Sequence, residues 1–375
     1  MNEIIISFII IIISLFILWI FGYINKKNKL KKFSEYSFNI PPNKILKEED
    51  HVTCFLCLRN NNFLSGQMNG MISLYNHKDF KFLELIYEHC EPITSLFELN
   101  DGSVLSSSAD GTLKKIKLLI NNDNKRNKKY LVEFVFYTNK EFIFKSIQIK
   151  NSDDILSCNI AKELILWKKT PNEIELYKVN KILLKDEYIQ DIIQINDNIF
   201  LTSGDSLQSW NVKNYKPMKK FNYCCKGNNS IYKLNEELTG IFLKSKGDIL
   251  IFNNNDLIAV KVINLSNFSV TSLKSLTNKS VLVGIFDEIN KKSFINQYIF
   301  NIDTHKTPKE NLNQIEVTKI KEDTFNFTED DFYLEEFNWS RINTIEEMGN
   351  FVVLGIGGQE QMKNYGKLII FEKNK

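Results

Sequence analysis

Cys54 and Cys57 stand three apart, the spacing of a redox dithiol in a thioredoxin-like turn. Here they fall in an apolar stretch that predicts an extended strand, where positions three apart point to opposite faces. Two buried or half-buried thiols are therefore expected. Cys224 and Cys225 are adjacent, while Cys90 and Cys158 are isolated, so no pair has the spacing of zinc ligands. Gly355-Ile356-Gly357-Gly358 approaches the dinucleotide fingerprint, but Glu360 occupies the place of its last glycine. The flanking residues also alternate like strands, so the helix N-terminus that would cradle a phosphate is missing. His51, His77, His89 and His305 are scattered, and no local motif joins a nucleophile to a base and an orienting group. A protein without catalytic residues, cofactor or metal is expected.

The surrounding elements give more. Residues 4–24 carry no charge, and 21 residues at a helical rise of about 1.5 Å span roughly the hydrocarbon core of a bilayer. A cleaved signal peptide would have a basic start, a shorter apolar core and small residues at its exit. Here Glu3 stands at the start and Trp19, Phe21 and Tyr23 at the exit, which favours an uncleaved anchor. Lys26, Lys27, Lys29, Lys31 and Lys32 follow at once, and Lys and Arg mark the cytosolic flank of a span. These lysines also suit anionic lipid. Expected are a transmembrane helix over residues 1–25, a basic linker over 26–42, and a folded part over 43–375 facing the cytosol. Endoplasmic reticulum and mitochondrial outer membrane fit equally. Six Asn-x-Ser/Thr sequons, at Asn228, Asn264, Asn267, Asn278, Asn326 and Asn338, match what 45 asparagines produce by chance.

The rest of the chain is 5- to 8-residue apolar-alternating segments separated by Asn, Asp, Gly and Ser, with no sustained helical stripe, which reads as all-β. A 43% hydrophobic content excludes a disordered chain, and a net charge of +3 gives no basic footprint for nucleic acid. One position, closing the third strand of a recurring unit, can be followed as Tyr75, Ile116, Trp167, Trp210, Phe252, Phe300 and Phe371. The intervals are 41, 51, 43, 42, 48 and 71 residues. Such a period predicts a seven-bladed β-propeller, because a small sheet cannot bury both faces and must be flanked by copies of itself.

These residues resemble the WD-repeat propeller family over 43–375. Asp110-Gly111, Asn69-Gly70, Ile165-Leu166-Trp167 and Ser209-Trp210-Asn211 carry the likeness. The resemblance implies that His89, Ser106 and Asp110 are three members of a structural hydrogen-bond tetrad, with Ile116 in place of its Trp. It also implies that residues 44–48 complete the last blade as its outer strand. Two stretches break the period. One is the polar insertion 121–129. The other is 321–337, where Glu329, Asp330, Asp331, Phe332, Tyr333, Glu335 and Glu336 mix acids with aromatics as a partner-binding loop would.

The function expected is a membrane-tethered, cytosol-facing scaffold or adaptor that binds protein partners. An analogy with the membrane-anchored propeller exchange factors of vesicle budding extends this to membrane traffic, although those carry their span at the C-terminus. The competing expectation is a lumenal or extracellular propeller with hydrolase or carbohydrate-binding activity. The sequence leaves partner identity and oligomeric state open.

Overall fold

A computed structural model describes residues 44–119, 130–137, 141–169, 177–182 and 188–221, and from 229 to 372 the strands with few of their connections. The expected anchor over 1–25 and the basic flank Lys26, Lys27, Lys29, Lys31 and Lys32 lie outside these residues. Among the described residues no helix is long and apolar enough to cross a membrane.

A short strand, β1 (Lys44–Glu48), comes first. The next four, β2 (Val52–Cys57), β3 (Asn62–Gln67), β4 (Met71–Asn76) and β5 (Phe82–Tyr87), form one antiparallel sheet in chain order. The second sheet is β6 (Ile93–Glu98), β7 (Val104–Ser108), β8 (Thr112–Leu118) and β9 (Tyr130–Tyr137), and the third is β10 (Ile143–Gln148), β11 (Ile155–Asn159), β12 (Leu164–Lys169) and β13 (Tyr177–Ile182). The fourth is β14 (Ile189–Gln194), β15 (Ile199–Gly204), β16 (Leu207–Asn211) and β17 (Pro217–Phe221). The fifth is β18 (Asn229–Lys233), β19 (Leu238–Leu243), β20 (Asp248–Asn253) and β21 (Ala259–Asn264). The sixth is β22 (Ser269–Ser275), β23 (Ser280–Asp287), β24 (Lys292–Asn301) and β25 (Glu316–Asp323).

The last three strands, β26 (Trp339–Met348), β27 (Phe351–Glu360) and β28 (Lys363–Glu372), take β1 as their fourth, with Lys44 opposite Ile370 and Glu48 opposite Gly366. The first strand of each sheet packs against the first strand of the next, and β26 packs back against β2, so the sheets close a ring. The fold is an all-β propeller. Residues 321–323 correct the sequence expectation: they belong to β25, paired with β24, and not to a connection that breaks the period.

Apolar faces meet between neighbouring sheets. Phe63, Tyr75 and Phe80 pack with Met348, Val353 and Leu368; Leu64, Ile72 and Leu74 pack with Ile93, Val104 and Ile116. Of the recurrent third-strand positions, Tyr75, Ile116, Trp167, Trp210, Phe252 and Phe371 are all buried in these layers. Cys54 packs on the layer shared with the second sheet and Cys57 on that shared with the last. Burial pushes both thiols up to about 12, leaving inert groups on opposite faces.

A second, polar layer runs round the inner strands, bridging every sheet to the next. Thr53 Oγ1 donates to Ile93 O at 2.6 Å, and Ser146 N donates to Ser95 Oγ at 3.2 Å. Lys145 Nζ lies 2.5 Å from Asp191 Oδ1, whose other oxygen accepts from Ile231 N at 2.8 Å. The Tyr232 hydroxyl bonds the backbone of Leu273. Ser272 Oγ donates to Ile342 O at 3.1 Å, and Asn343 Nδ2 donates to Val52 O at 2.8 Å.

The glycines that suggested a nucleotide loop have a packing role. A Cβ on Gly357 would come within 2.6 Å of the His51 Cβ, and one on Gly366 would strike Asp50 O. Together they form a trough for the connection from β1 to β2, whose His51 Nε2 is 2.5 Å from Gly358 O. Overpacking a close contact costs about 1–3 kcal/mol. Gly366→Ala is therefore expected to lower the unfolding free energy by about that amount in urea titrations, and Gly102→Ala, which meets no atom within 4 Å, by less, its cost coming from a φ of +81° alone.

Candidate functional site

The chain brings His89, Ser106 and Asp110 together. His89 lies in the connection from β5 to β6, Ser106 sits in β7 and Asp110 in the turn to β8. His89 Nδ1 is 2.8 Å from Asp110 Oδ2, and Nε2 is 2.8 Å from Ser106 Oγ. Thr112 Oγ1 donates to Asp110 Oδ1 at 2.6 Å. A serine, a histidine and an aspartate in this order have the connectivity of a charge-relay triad. Ser106, however, has no exposed surface, so no acyl carbon can reach its oxygen, and the arrangement is a structural lock. Partial burial raises the Asp110 carboxyl, but hydrogen bonds from His89 and Thr112 outweigh it and hold the group well below its ordinary 3.8. Ile116 fills the fourth position as a buried apolar group.

An equivalent lock in the first sheet escaped the sequence reading. Glu48 precedes Val52 by four residues, as His89 precedes Ile93, and Ser65 and Tyr75 stand where Ser106 and Ile116 stand. Its carboxylate accepts from Ser65 Oγ, from Gln67 Nε2 at 2.8 Å and from Ser73 Oγ at 2.8 Å, and it bonds the Tyr75 hydroxyl. Burial raises its pKa, against the lowering effect of those hydroxyls. The spacing to Val52 was the available signal, hidden because a carboxylate had replaced an imidazole. Two further sheets keep a remnant: Trp167 Nε1 donates to Ser157 Oγ at 2.8 Å, and Trp210 Nε1 to Thr202 Oγ1 at 2.9 Å.

These locks lie at one end of the ring, where turns between second and third strands bond the connections between sheets. Met68 N donates to His51 O, Ala109 N to Pro92 O, Ile160 N to Phe142 O and Asp205 N to Tyr188 O. Gly70, at φ +82°, sits so close that a Cβ would meet His89 O at 2.5 Å.

The same end carries exposed apolar side chains on several sheets: Met68, Ile160, Tyr188 and Ile289 on its loops, Tyr87 and Tyr137 at the strand ends beside them. Lys162 Nζ stands 4.9 Å from the centre of the Tyr188 ring. Lys162 is at φ +65°, where the first two sheets place Gly70 and Gly111. Exposed Glu49, Glu91 and Asp205 lie among them. The acidic and aromatic stretch with Glu329, Asp330, Asp331, Phe332, Tyr333, Glu335 and Glu336 lies outside the described residues, as does 121–129.

No protein-family model matches the chain, and comparison with curated protein sequences gives no match. Solved structures do resemble it. The β-propeller domain of Myceliophteria thermophila Cps50 (Swd1) is 10% identical, with a TM-score of 0.61 over 88% of this chain and 98% of that one. The WD40 repeats of RRP9 are 12% identical, with a TM-score of 0.63 over 90% and 100%. U3-55K is 12% identical, with a TM-score of 0.62 over 89% and 99%. The likeness is one of fold. It covers the ring as a whole and carries no residue-level correspondence at such identities.

Two measurements follow from the locks. His89→Ala removes the buried imidazole that bonds both Asp110 and Ser106, so a loss of about 1–3 kcal/mol in unfolding free energy is expected. For acid sensitivity the useful group is Asp101: partial burial raises its pKa, but Lys115 and Ser103 outweigh that and hold it at about 2, below the ordinary 3.8. A depressed carboxylate stabilises the fold above 3.8, and that contribution is lost as pH falls toward 2. Thermal melts between those pH values should show Asp101→Asn losing less stability than the parent; an equal loss would remove Asp101 from the acid response.

Proposed function

We propose that this chain is a seven-bladed propeller of the WD-repeat type that acts as a protein-interaction scaffold, tethered by residues 4–24 and held with its ring in the cytosol. The observation that carries the scaffold reading is the gathering of Met68, Ile160, Tyr188 and Ile289 at one end of a rigid ring. Exposed apolar groups set among charged ones are the composition of an interface core with a polar rim. The solved structures of similar fold support the architecture on which this reading rests.

The path of β1 suits the tether. Lys44 starts that strand beside the turn at Asp79 and Phe80, donating to Asp79 O and lying 5.6 Å from the Phe80 ring centre. Glu48 ends it at the decorated end. The chain thus enters the ring at the end opposite the decorated face. One anchor raises the effective concentration of partners at the membrane. Endoplasmic reticulum and mitochondrial outer membrane both suit a lysine-flanked anchor, and membrane traffic is one process such a scaffold would serve.

Ile160→Asp with Tyr188→Asp is expected to cut partner capture from solubilised membranes about tenfold or more, given the weight of central apolar contacts, with Tm little changed. Capture that survives both changes would place binding elsewhere. Protease treatment of intact membranes should remove a C-terminal tag without detergent; protection of the tag would reverse the assigned sidedness.

A further inference from the structure

The two ends of the ring differ in charge. At the decorated end the exposed charged residues in the described connections, Glu49, Glu91 and Asp205, are all acidic. At the other end first strands turn into second strands and third strands into fourth. There Arg59 and Lys150 are taken up by Glu98 and Asp197, and Asp101 by Lys115. Lys78, Lys81, Lys169, Lys213 and Lys216 are exposed at this end with no ion-pair partner among the described residues, set against the two acids Asp79 and Asp153.

Four of these cations are held out by one turn built twice. Asn76-His77-Lys78-Asp79-Phe80-Lys81 leads from β4 to β5, and Asn211-Val212-Lys213-Asn214-Tyr215-Lys216 from β16 to β17. Asn76 Oδ1 accepts from Lys78 N at 2.8 Å, and Asn211 Oδ1 from Lys213 N at 2.9 Å. Each turn then closes at 2.9 Å, through Asn76 N on Lys81 O and Asn211 N on Lys216 O. Phe80 and Tyr215 take φ of +55° and +56°, a conformation unfavourable to a bulky side chain, and set their rings against Phe351 and Phe200. With the ring between them anchored, the two lysines of each turn stay in solvent.

We propose that this end of the ring rests on an anionic bilayer surface, with Lys78, Lys81, Lys169, Lys213 and Lys216 against the lipid headgroups. Acidic headgroups complement cations that lack a protein partner, and each lysine near such a surface adds to the attraction. The same surface repels the acidic end, so charge decides which face meets it. The cations are spread over the first, third and fourth sheets, which suits a plane better than a pocket. The chain also enters the ring here, through Lys44 beside Asp79 and Phe80. That the surface is a bilayer and not a nucleic acid rests on the tether by residues 4–24; the charge asymmetry does not.

The test is acylation of lysines by a membrane-impermeant reagent, read peptide by peptide, on the full chain reconstituted in phosphatidylcholine vesicles with or without phosphatidylserine. Labelling of Lys78, Lys81, Lys213 and Lys216 should fall about fivefold or more when phosphatidylserine is present and recover in high salt, which screens exposed charge. Lys162, at the decorated end, should be labelled equally in both. Combining Lys78→Gln, Lys81→Gln, Lys213→Gln and Lys216→Gln, all at exposed positions, should abolish the protection of Lys169. Equal labelling in both vesicle types, or protection of Lys169 retained in that variant, would overturn the proposal. So would RNA protecting the lysines on neutral vesicles as well as phosphatidylserine does, which would assign this end to nucleic acid. Carbonate extraction reads the tether separately: resistance to it with equal labelling strikes this inference alone, and release with protection by phosphatidylserine strikes the tether alone.

Discussion

A four-stranded sheet of this composition has two apolar faces and can hide neither alone. Val52, Phe63 and Tyr75 on one side of the first sheet, and Leu64, Ile72 and Leu74 on the other, need neighbours on both sides. Stacking copies of the sheet supplies those neighbours, and only a closed ring leaves no terminal face in water. The buried Tyr75, Ile116, Trp167, Trp210, Phe252 and Phe371 of the third strands, the small residues of the second strands and the glycines under the connection from β1 to β2 all serve that demand. The ring's stability is thus a sum of junctions, and the weakest junction limits it.

The junction made from the two ends of the chain is the most elaborate. β1 supplies the last sheet's outer strand, and Glu48 then turns inward to satisfy hydroxyls and an amide in the first sheet. One residue therefore ties an edge strand to the neighbouring core. Burying a carboxylate is costly unless several donors surround it, and four groups of the first sheet do so. Elsewhere the same task is divided among smaller contacts, such as Thr53 on Ile93 and Asn343 on Val52, and the Lys145–Asp191 pair also anchors a third sheet through Ile231.

Rigidity of this kind frees the loops from structural duty. The connections at the end bearing His89 and Glu48 can expose Met68, Ile160 and Tyr188 because the locks beneath them already hold the backbone. Lys162 illustrates the trade: a lysine in a left-handed conformation gives up the ease of glycine, and its amine reaches the Tyr188 ring instead. The outer strands are under a different constraint, since among the described residues each pairs with one neighbouring strand and not two. That five of them carry Lys or Pro and two do not is a difference in sequence with no counterpart in the core.

Much of the fold was legible in the chain itself. Alternation gave strands, a recurrent buried position gave the repeat, and the spacing of His89, Ser106 and Asp110 gave one lock, because period-2 patterning and turn residues act within a few neighbours. Residues 321–323 were misassigned, since an outer strand rich in Lys and Glu looks like a loop until its pairing partner is known. Glu48 was passed over for a like reason: a glutamate reads as surface, and only the first sheet folded around it makes it a hub. The glycine run near residue 357 was excluded as a nucleotide loop by Glu360 and its strand context, but what it does instead emerged only with His51 resting on it. Local order is written in nearest-neighbour chemistry, whereas contacts such as Glu48 to Ser73 or His51 to Gly358 join residues whose meeting depends on ring closure, and that is decided by burial of all the faces together.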